Sequence, residues 1–529
     1  LDDRIRRIVV LGGGTAGWMS ACYLAAILGQ ADDGERAEIT LVESPDIGII
    51  GVGEATLAHI KRMMLTIGID ESNFMRSCEA TFKNAIKFVG FHRKDEVWWH
   101  PFTQLSHVHV NNRPHSIAEL WLQARAAGFP AGYAEAVAQD PHMCDAFLAP
   151  KREQDAPYEG LVNYAYHIDT VLLGRYLRQV GVDRGVNHVV DKVVGVERDE
   201  RGFVTALETE AHGALAGDLF IDCSGFRGLL INQTMEEPFI GFNDVLFNDS
   251  AVAMRVPHAE GETRISPHTT CTAQSAGWIW DIPLHRRTGV GHVYSSQFMD
   301  KENAERTLRD YIGPRHEGLE AMHIPMRIGR SRRLWVNNVI AVGLAGGFIE
   351  PLESTGIYLA ELGLSLLRDY FPTRGAMHAQ AQRYNRHMAS YYDEIRDFIC
   401  MHYCLTARDD SDYWRTCGHH PAIPDSLREK LEIWRRRLPS ENDLDYTAEL
   451  PAFSAVSYTY VCVGMNHLPE AAAIAAPAGA AEMAQAVFAD RQRSIREVMA
   501  QAPAHWSILQ HVHRDGPPQL RPQRSQTAG

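Results

Sequence analysis

Three glycines stand where a diphosphate could be held. Gly12, Gly14 and Gly17 form G-x-G-x-x-G within "RIVVLGGGTAGWMSACYLAAIL". The first supports a tight turn, the second lets backbone approach a pyrophosphate, and the third allows close helix–strand packing. Thr15 and Ala16, inside the motif, open a helix whose positive N-terminal end suits an anion. The next apolar run, "AEITLVES", ends in Glu43, whose carboxylate can accept hydrogen bonds from ribose hydroxyls. Other chemistry-bearing residues are Lys83 in "TFKNAIKF", His100 in "WWHPF", Trp278 and Trp280 in "GWIWDIP", and Glu350 and Glu353 in "EPLESTGI". Taken alone, Lys83 reads as a solvated helix lysine with Lys87 one turn on. The two indoles, pointing the same way on a strand, read as packing. "CMHYC" tempts a metal reading, but on a helix from about Gln380 to Leu405 the thiols of Cys400 and Cys404 share a face while His402 points elsewhere. They read as core thiols, and no metal is expected.

These groups need elements to hold them. Strand, glycine turn, helix, strand and terminal acid in that order predict a Rossmann-type βαβ unit. "NHVVDKVVGVERDERGFVTALETEAHGALAGDLFIDCSG" predicts a meander of strands ending in a buried strand and a glycine turn. "WVNNVIAVGLAGGFIEPLESTGIYLAELGLSLL" predicts another buried strand, a glycine-rich loop, and a helix starting near Thr355. Three glycine-punctuated strand ends, far apart in sequence, suit a large two-part cofactor threaded through one domain, the layout of FAD-dependent monooxygenases. No second G-x-G-x-x-G offers itself to NADPH, so reduced flavin is expected from a separate NAD(P)H-dependent flavin reductase.

The bulk properties set further bounds. The chain has 529 residues, 45% of them hydrophobic, enough for two or three modules. Its net charge of −14 argues against nucleic acid. No apolar run approaches a membrane span and no export signal is visible. Nine cysteines without a C-x-x-C pair read as reduced thiols in a cytoplasmic protein. No internal repeat is found. "EAAAIAAPAGAAEMAQAVFADRQRSIREVMAQ" predicts a terminal helix with a proline-interrupted lead-in, and residues 511–529 a disordered tail. The expected division is a core over residues 1–375, a mainly helical substrate-capping region over 376–510, and the tail.

Several segments together resemble the flavin-dependent tryptophan halogenases: "GGGTAGWM", "GVGEAT", "TFKNAIKF", "HPF", "DLFIDCSGFRGLLIN", "GWIWDIP" and "EPLESTGI". The similarity runs from residue 8 to about 410, and W-x-W-x-I-P separates that family from ordinary flavin hydroxylases. The resemblance implies a GR2-type, FAD-dependent monooxygenase-like Rossmann core with a sheet-rich substrate module. It also implies a reaction in which FADH2, O2 and chloride or bromide yield hypohalous acid, which is relayed to a lysine beside an aromatic substrate. By the "TFK" match that lysine is Lys83, acting either as an ammonium that hydrogen-bonds the oxidant or as a free amine that forms a haloamine. Glu353, preferred over Glu350 because it precedes "STG", would polarise the oxidant, stabilise the arenium cation and assist loss of its proton. Thr355 and Gly356 would offer backbone N–H groups to the halide. Ala55, Val193, Leu344 and Ile357 would join the glycine motif and Glu43 at the flavin. Trp278 and Trp280 would form a wall between flavin and substrate.

His100, Pro101 and Phe102 would hold an indole. The late segment "DYTAELPAFSAVSYTYVCVG" departs from tryptophan-specific members. Tyr446 lacks a neighbouring tyrosine, Ser454 stands where a glutamate is expected, and Tyr458 replaces a tryptophan. Without that carboxylate the substrate ammonium loses a charge-assisted bond worth about 1.5–3 kcal/mol. An indole or another electron-rich aromatic is therefore expected ahead of free tryptophan, and a homodimer is left open. The rival readings are a flavin-dependent aromatic hydroxylase and a non-catalytic binding protein on the same fold.

Overall fold

Parallel pairing of short, β-branched runs builds the first layer. The computed structural model describes residues 3–28, 37–48, 51, 53–419, 422–445, 451–470 and 480–516. Tyr446, the alanine-rich lead-in at 471–479 and residues 517–529 of the expected tail lie outside the described residues. Six strands lie in the order Asn187–Val190, Glu38–Glu43, Arg7–Leu11, Leu219–Asp222, Val339–Ala341 and Trp335–Val336. All pairs are parallel except the last. The central strands are buried along nearly their whole length, as expected when helices cover both faces. The helix Thr15–Leu28 follows the glycine turn and packs on the helix Thr170–Asp183.

The expected meander divides. Its first strand, Asn187–Val190, joins the parallel sheet beside Glu38–Glu43. Only Val193–Arg198, Val204–Thr209 and Gly213–Ala216 form an antiparallel ribbon. The last strand, Leu219–Asp222, enters the centre of the parallel sheet.

A second, seven-stranded sheet carries much of the substrate module. Its order is Met322–Pro325, Ser250–Pro257, Arg287–Tyr294, Gly277–Pro283, His268–Gln274, Ala85–Val89 and Val97–Pro101. A small three-stranded sheet links the two layers: Glu54–Ala55 and Thr81–Lys83 both pair with Ala165–Ile168. "TFKNAIKF" is thus two short strands, not the helix that Lys83 and Lys87 suggested. A change of sheet between the two strands separates the two lysines. Lys83 is fully buried, while Lys87 sits over the Trp99 ring and 3.6 Å from Asp145.

Beyond residue 375 the described residues are mainly helical, led by His378–Cys404. The helix His505–His513 runs past the boundary expected at residue 510. No described helix is long and apolar enough to cross a membrane, and the described residues hold no cluster that could bind a metal ion.

Candidate active site

The glycine turn is tight because three of its residues admit no side chain. Gly12 has φ +115°, and a Cβ there would lie 2.3 Å from the carbonyl oxygen of Cys223. At Gly17 a Cβ would lie 1.8 Å from the Gly12 carbonyl, so helix and strand touch. At Gly13, outside the motif, it would meet the Glu43 carboxylate at 1.4 Å. At Gly14 a Cβ meets nothing within 4 Å. That open backbone at a helix N-terminus is a cradle fit for a dinucleotide diphosphate. Glu43 ends its strand as expected and also accepts from His188 Nε2 at 2.7 Å. Thr15 spends its hydroxyl on the Thr170 carbonyl at 3.2 Å. Gly343, at φ +68°, brings the loop carrying Leu344 against Ala16, where a Cβ would approach to 2.6 Å. Val193 and Leu344 are half-buried, and Ala55 and Ile357 are buried.

The second constellation forms where the small sheet meets the helix Thr355–Asp369. Lys83 Nζ donates to the Thr56 carbonyl at 3.1 Å and to Ser354 Oγ at 3.0 Å. Thr56, directly after the strand Glu54–Ala55, therefore reaches the lysine. The ammonium also lies 5.3 Å from the centre of the Phe102 ring. Burial lowers the Lys83 pKa from 10.5 to about 8, against the opposing fields of Glu353 and Cys271. Ser354 adopts φ +63°, rare for a residue with a side chain. It joins the turn Pro351–Glu353 to the helix start. The Thr355 hydroxyl there is fully buried and without a partner, an orphaned donor suited to an anion.

Glu353 is fully buried and clamped by two histidines. His100 Nδ1 donates to its carboxylate at 2.9 and 3.0 Å, and His402 Nε2 donates at 3.0 Å. Burial pushes the carboxyl up, but the His100 and His402 contacts more than reverse this and hold it at about 2. His402 Nδ1 faces the Phe398 carbonyl at 2.9 Å, so both ring nitrogens meet acceptors. His402 does point elsewhere than the two thiols, and what it meets there is the Glu353 carboxylate. Cys400 and Cys404 are buried free thiols. His402 was hidden because its partner lies on another element. Helical periodicity reports a residue's face but not what packs against it.

The aromatic surroundings of His100 are also wider than "HPF". Phe398, Phe453 and Tyr460 lie 5.9, 6.1 and 6.1 Å from its ring. Pro101 is buried and Phe102 half-buried. Ser454 bonds to Gln104 at the start of the helix Ala455–Gly464. Tyr458 is fully buried and sends its hydroxyl to Glu394 at 2.5 Å. Its ring meets Phe398 at 4.8 Å and Trp434 at 5.2 Å. Tyr458 meets the His100 cluster through Phe398.

Trp278 and Trp280 do share a sheet face, with ring centres 6.2 Å apart and planes at 61°. Trp280 lies across Gly291 in the neighbouring strand, where a Cβ would fall 2.1 Å from the indole. Both indole N–H groups are buried without a hydrogen-bond partner. That of Trp278 faces the Glu350 carboxyl, short of bonding distance to it. Glu350 accepts from Asn248 Nδ2 at 2.6 Å, and burial pushes its pKa up to about 7. The two acids of "EPLESTGI" are therefore held in opposite protonation tendencies.

Known proteins are similar to this chain along nearly its whole length. The family model for tryptophan halogenase matches residues 7–480. A 7-chloro-L-tryptophan 6-halogenase, KtzR, from a Kutzneria species is 39% identical over 95% of this chain and 98% of its own. The tryptophan 6-halogenase SttH of Streptomyces toxytricini is 40% identical over 93% and 96%. The crystal structure of a tryptophan halogenase from Shewanella frigidimarina superposes with a TM-score of 0.89 at 34% identity, covering 97% of this chain and 99% of that one. With a cradle fit for a flavin dinucleotide on one side and a buried lysine–glutamate pair on the other, this chain belongs to the flavin-dependent tryptophan halogenases, enzymes that halogenate aromatic rings.

Proposed function

We propose that this enzyme halogenates an indole-type aromatic, with Lys83 presenting the electrophile and Glu353 facing the charge that develops on the ring. The observation that carries this reading is the contact of Lys83 Nζ with Ser354, the residue directly after Glu353. Two opposite charges are thereby held in one water-poor space without neutralising each other through a direct bond.

Gly12, Gly14, Thr15, Ala16, Gly17 and Glu43 would hold the dinucleotide part of FAD, with Ala55, Val193, Leu344 and Ile357 along the rest. Bound there in reduced form, the flavin would supply two of the four electrons that O2 takes up and the halide the other two, so that one oxygen leaves as water and the other ends in hypohalous acid. The backbone N–H groups of Thr355 and Gly356 would hold the halide, and the unpartnered Thr355 hydroxyl supports that assignment. Trp278 and Trp280 would pass a small oxidant while keeping the organic substrate apart from the flavin. A separate flavin reductase would deliver the reduced cofactor.

Lys83 can donate a hydrogen bond to the oxidant as an ammonium, and a pKa of about 8 leaves a usable fraction of free amine at neutral pH. Glu353, held at about 2, is ionised throughout that range. It stabilises positive charge on the ring first and accepts the proton second, from an arenium acidic enough to give it up. His100 and Phe102 would flank the indole. Ser454, bound to Gln104 and uncharged, gives a substrate ammonium no counter-ion, which supports indoles lacking the amino-acid group over free tryptophan.

Lys83→Ala tests the mechanism. With a flavin reductase, bromide and indole, it should make no halogenated product while flavin reoxidation continues. An unchanged halogenation rate would overturn the assignment. A strong preference for free L-tryptophan over indole would overturn the substrate reading alone.

A further inference from the structure

Among the described residues, the strand that carries Lys83 has one neighbouring strand. Thr81 and Lys83 register with His167 and Ala165 on one side. In an antiparallel pair alternate residues turn their backbone groups to opposite sides, so Ala80 and Phe82 present theirs to a side with no strand. The C-terminal helix His505–His513 covers that side with two imidazoles. The Phe82 N–H donates to His505 Nε2 at 3.4 Å, and His513 Nε2 donates to the Ala80 carbonyl at 3.0 Å. His505 is fully buried, and its Nδ1 faces the Ile265 carbonyl at 2.7 Å. A carbonyl can only accept, so Nδ1 carries the hydrogen and Nε2 is left as the acceptor that Phe82 requires. The segment is anchored beside the same strand. Ala504 bridges to Leu148, Ala149 N–H donates to the Pro503 carbonyl at 2.8 Å, and His513 stacks on His285 with ring centres 3.8 Å apart.

We infer that His505 is a positioning residue for Lys83, with the C-terminal helix acting as a side-chain replacement for the missing strand. This rests on the proposed role of Lys83. The helix touches the backbone on either side of Thr81 and so sets where the lysine strand lies. A displacement of about 1 Å at a reacting group can cost on the order of a hundredfold in rate. The flavin cradle and the halide end lie on other elements and are not held by this contact.

His505→Leu removes the acceptor at similar volume, and His505→Gln restores an acceptor at the ε position. The readouts are halogenated product per reduced flavin consumed, the rate of flavin consumption, and the urea midpoint. For His505→Leu we expect product per flavin to fall about tenfold or more, with flavin consumption within twofold of wild type. His505→Gln should recover most of the product. Should His505→Leu fail to fold, His513→Leu, which loses only the Ala80 contact at the helix end, should show the same uncoupling in milder form. Unchanged product per flavin in both leucine variants would overturn the inference. So would parallel loss of product, flavin consumption and urea midpoint, or a glutamine variant no better than leucine. If Lys83→Ala abolishes product while both leucine variants remain coupled, only this inference fails. If Lys83→Ala still halogenates, the underlying mechanism fails instead.

Discussion

Replacing Lys83 by methionine should stabilise the fold at neutral pH, by an amount its surroundings set. The ammonium is fully buried, and burial lowers its pKa from 10.5 to about 8. At 1.36 kcal/mol per pH unit, that gap makes the buried charge about 3 kcal/mol less favourable than in the unfolded chain. Methionine fills similar volume without charge but forfeits the hydrogen bonds to Thr56 and Ser354, each worth about 1 kcal/mol. The net gain at pH 7 is therefore about 1–3 kcal/mol. Its pH dependence follows from proton binding. Between about pH 8 and 10.5 the unfolded lysine keeps its proton while the folded one has released it. Wild-type stability thus rises with pH across that window. The methionine variant lacks this slope, so its advantage is full below about pH 8 and is lost by about 10.5. Urea unfolding followed by tryptophan fluorescence, at neutral pH and at both ends of the window, measures the gain and the slope. A Lys83→Met variant less stable than wild type at pH 7, or one whose advantage grows with pH, would refute the claim that this lysine is held at a cost. Such a cost is expected where function requires a group that the fold alone would not choose.

The clamp on Glu353 predicts strong coupling. A double-mutant cycle of His402→Phe and Glu353→Gln, read by urea unfolding at pH 7, should give about 1.5–3 kcal/mol of interaction, and additivity within about 0.5 kcal/mol would discount the bond. Glu350 behaves oppositely, with its folded pKa raised from 4.5 to about 7. Its contribution is present in full below pH 4.5 and lost as pH rises through about 7, so Glu350→Gln should gain on wild type by up to about 3 kcal/mol between pH 5 and 8. A flat difference across that range in the same assay contradicts a neutral buried acid. Gly291→Ala should displace the Trp280 indole and cost about 1–3 kcal/mol. Near-ultraviolet circular dichroism identical to wild type, with unchanged stability, would show that the indole does not depend on that glycine.

What could be read from the chain follows how each feature is encoded. The dinucleotide cradle was legible because its determinants are local: Gly12, Gly14 and Gly17 lie within one turn, and what excludes a side chain at Gly12 and Gly17 is backbone. Lys83 was legible only as part of a recurring motif, since a buried strand lysine and a solvated helix lysine look alike in the eight residues of "TFKNAIKF". The period of the pattern was misread because Thr81–Lys83 and Ala85–Val89 belong to different sheets, and a change of sheet leaves no periodic trace. His402 and His505 were beyond reach for another reason. Each meets its partner across more than one element boundary, His402 to Glu353 and His505 to Phe82. An imidazole reveals its duty only through what faces each nitrogen. His402 meets acceptors at both, whereas His505 meets a carbonyl at one and an N–H at the other. The same residue type therefore serves once beside a carboxylate and once as a surrogate strand. Composition and spacing cannot distinguish these two uses, because the difference lies wholly in long-range pairing.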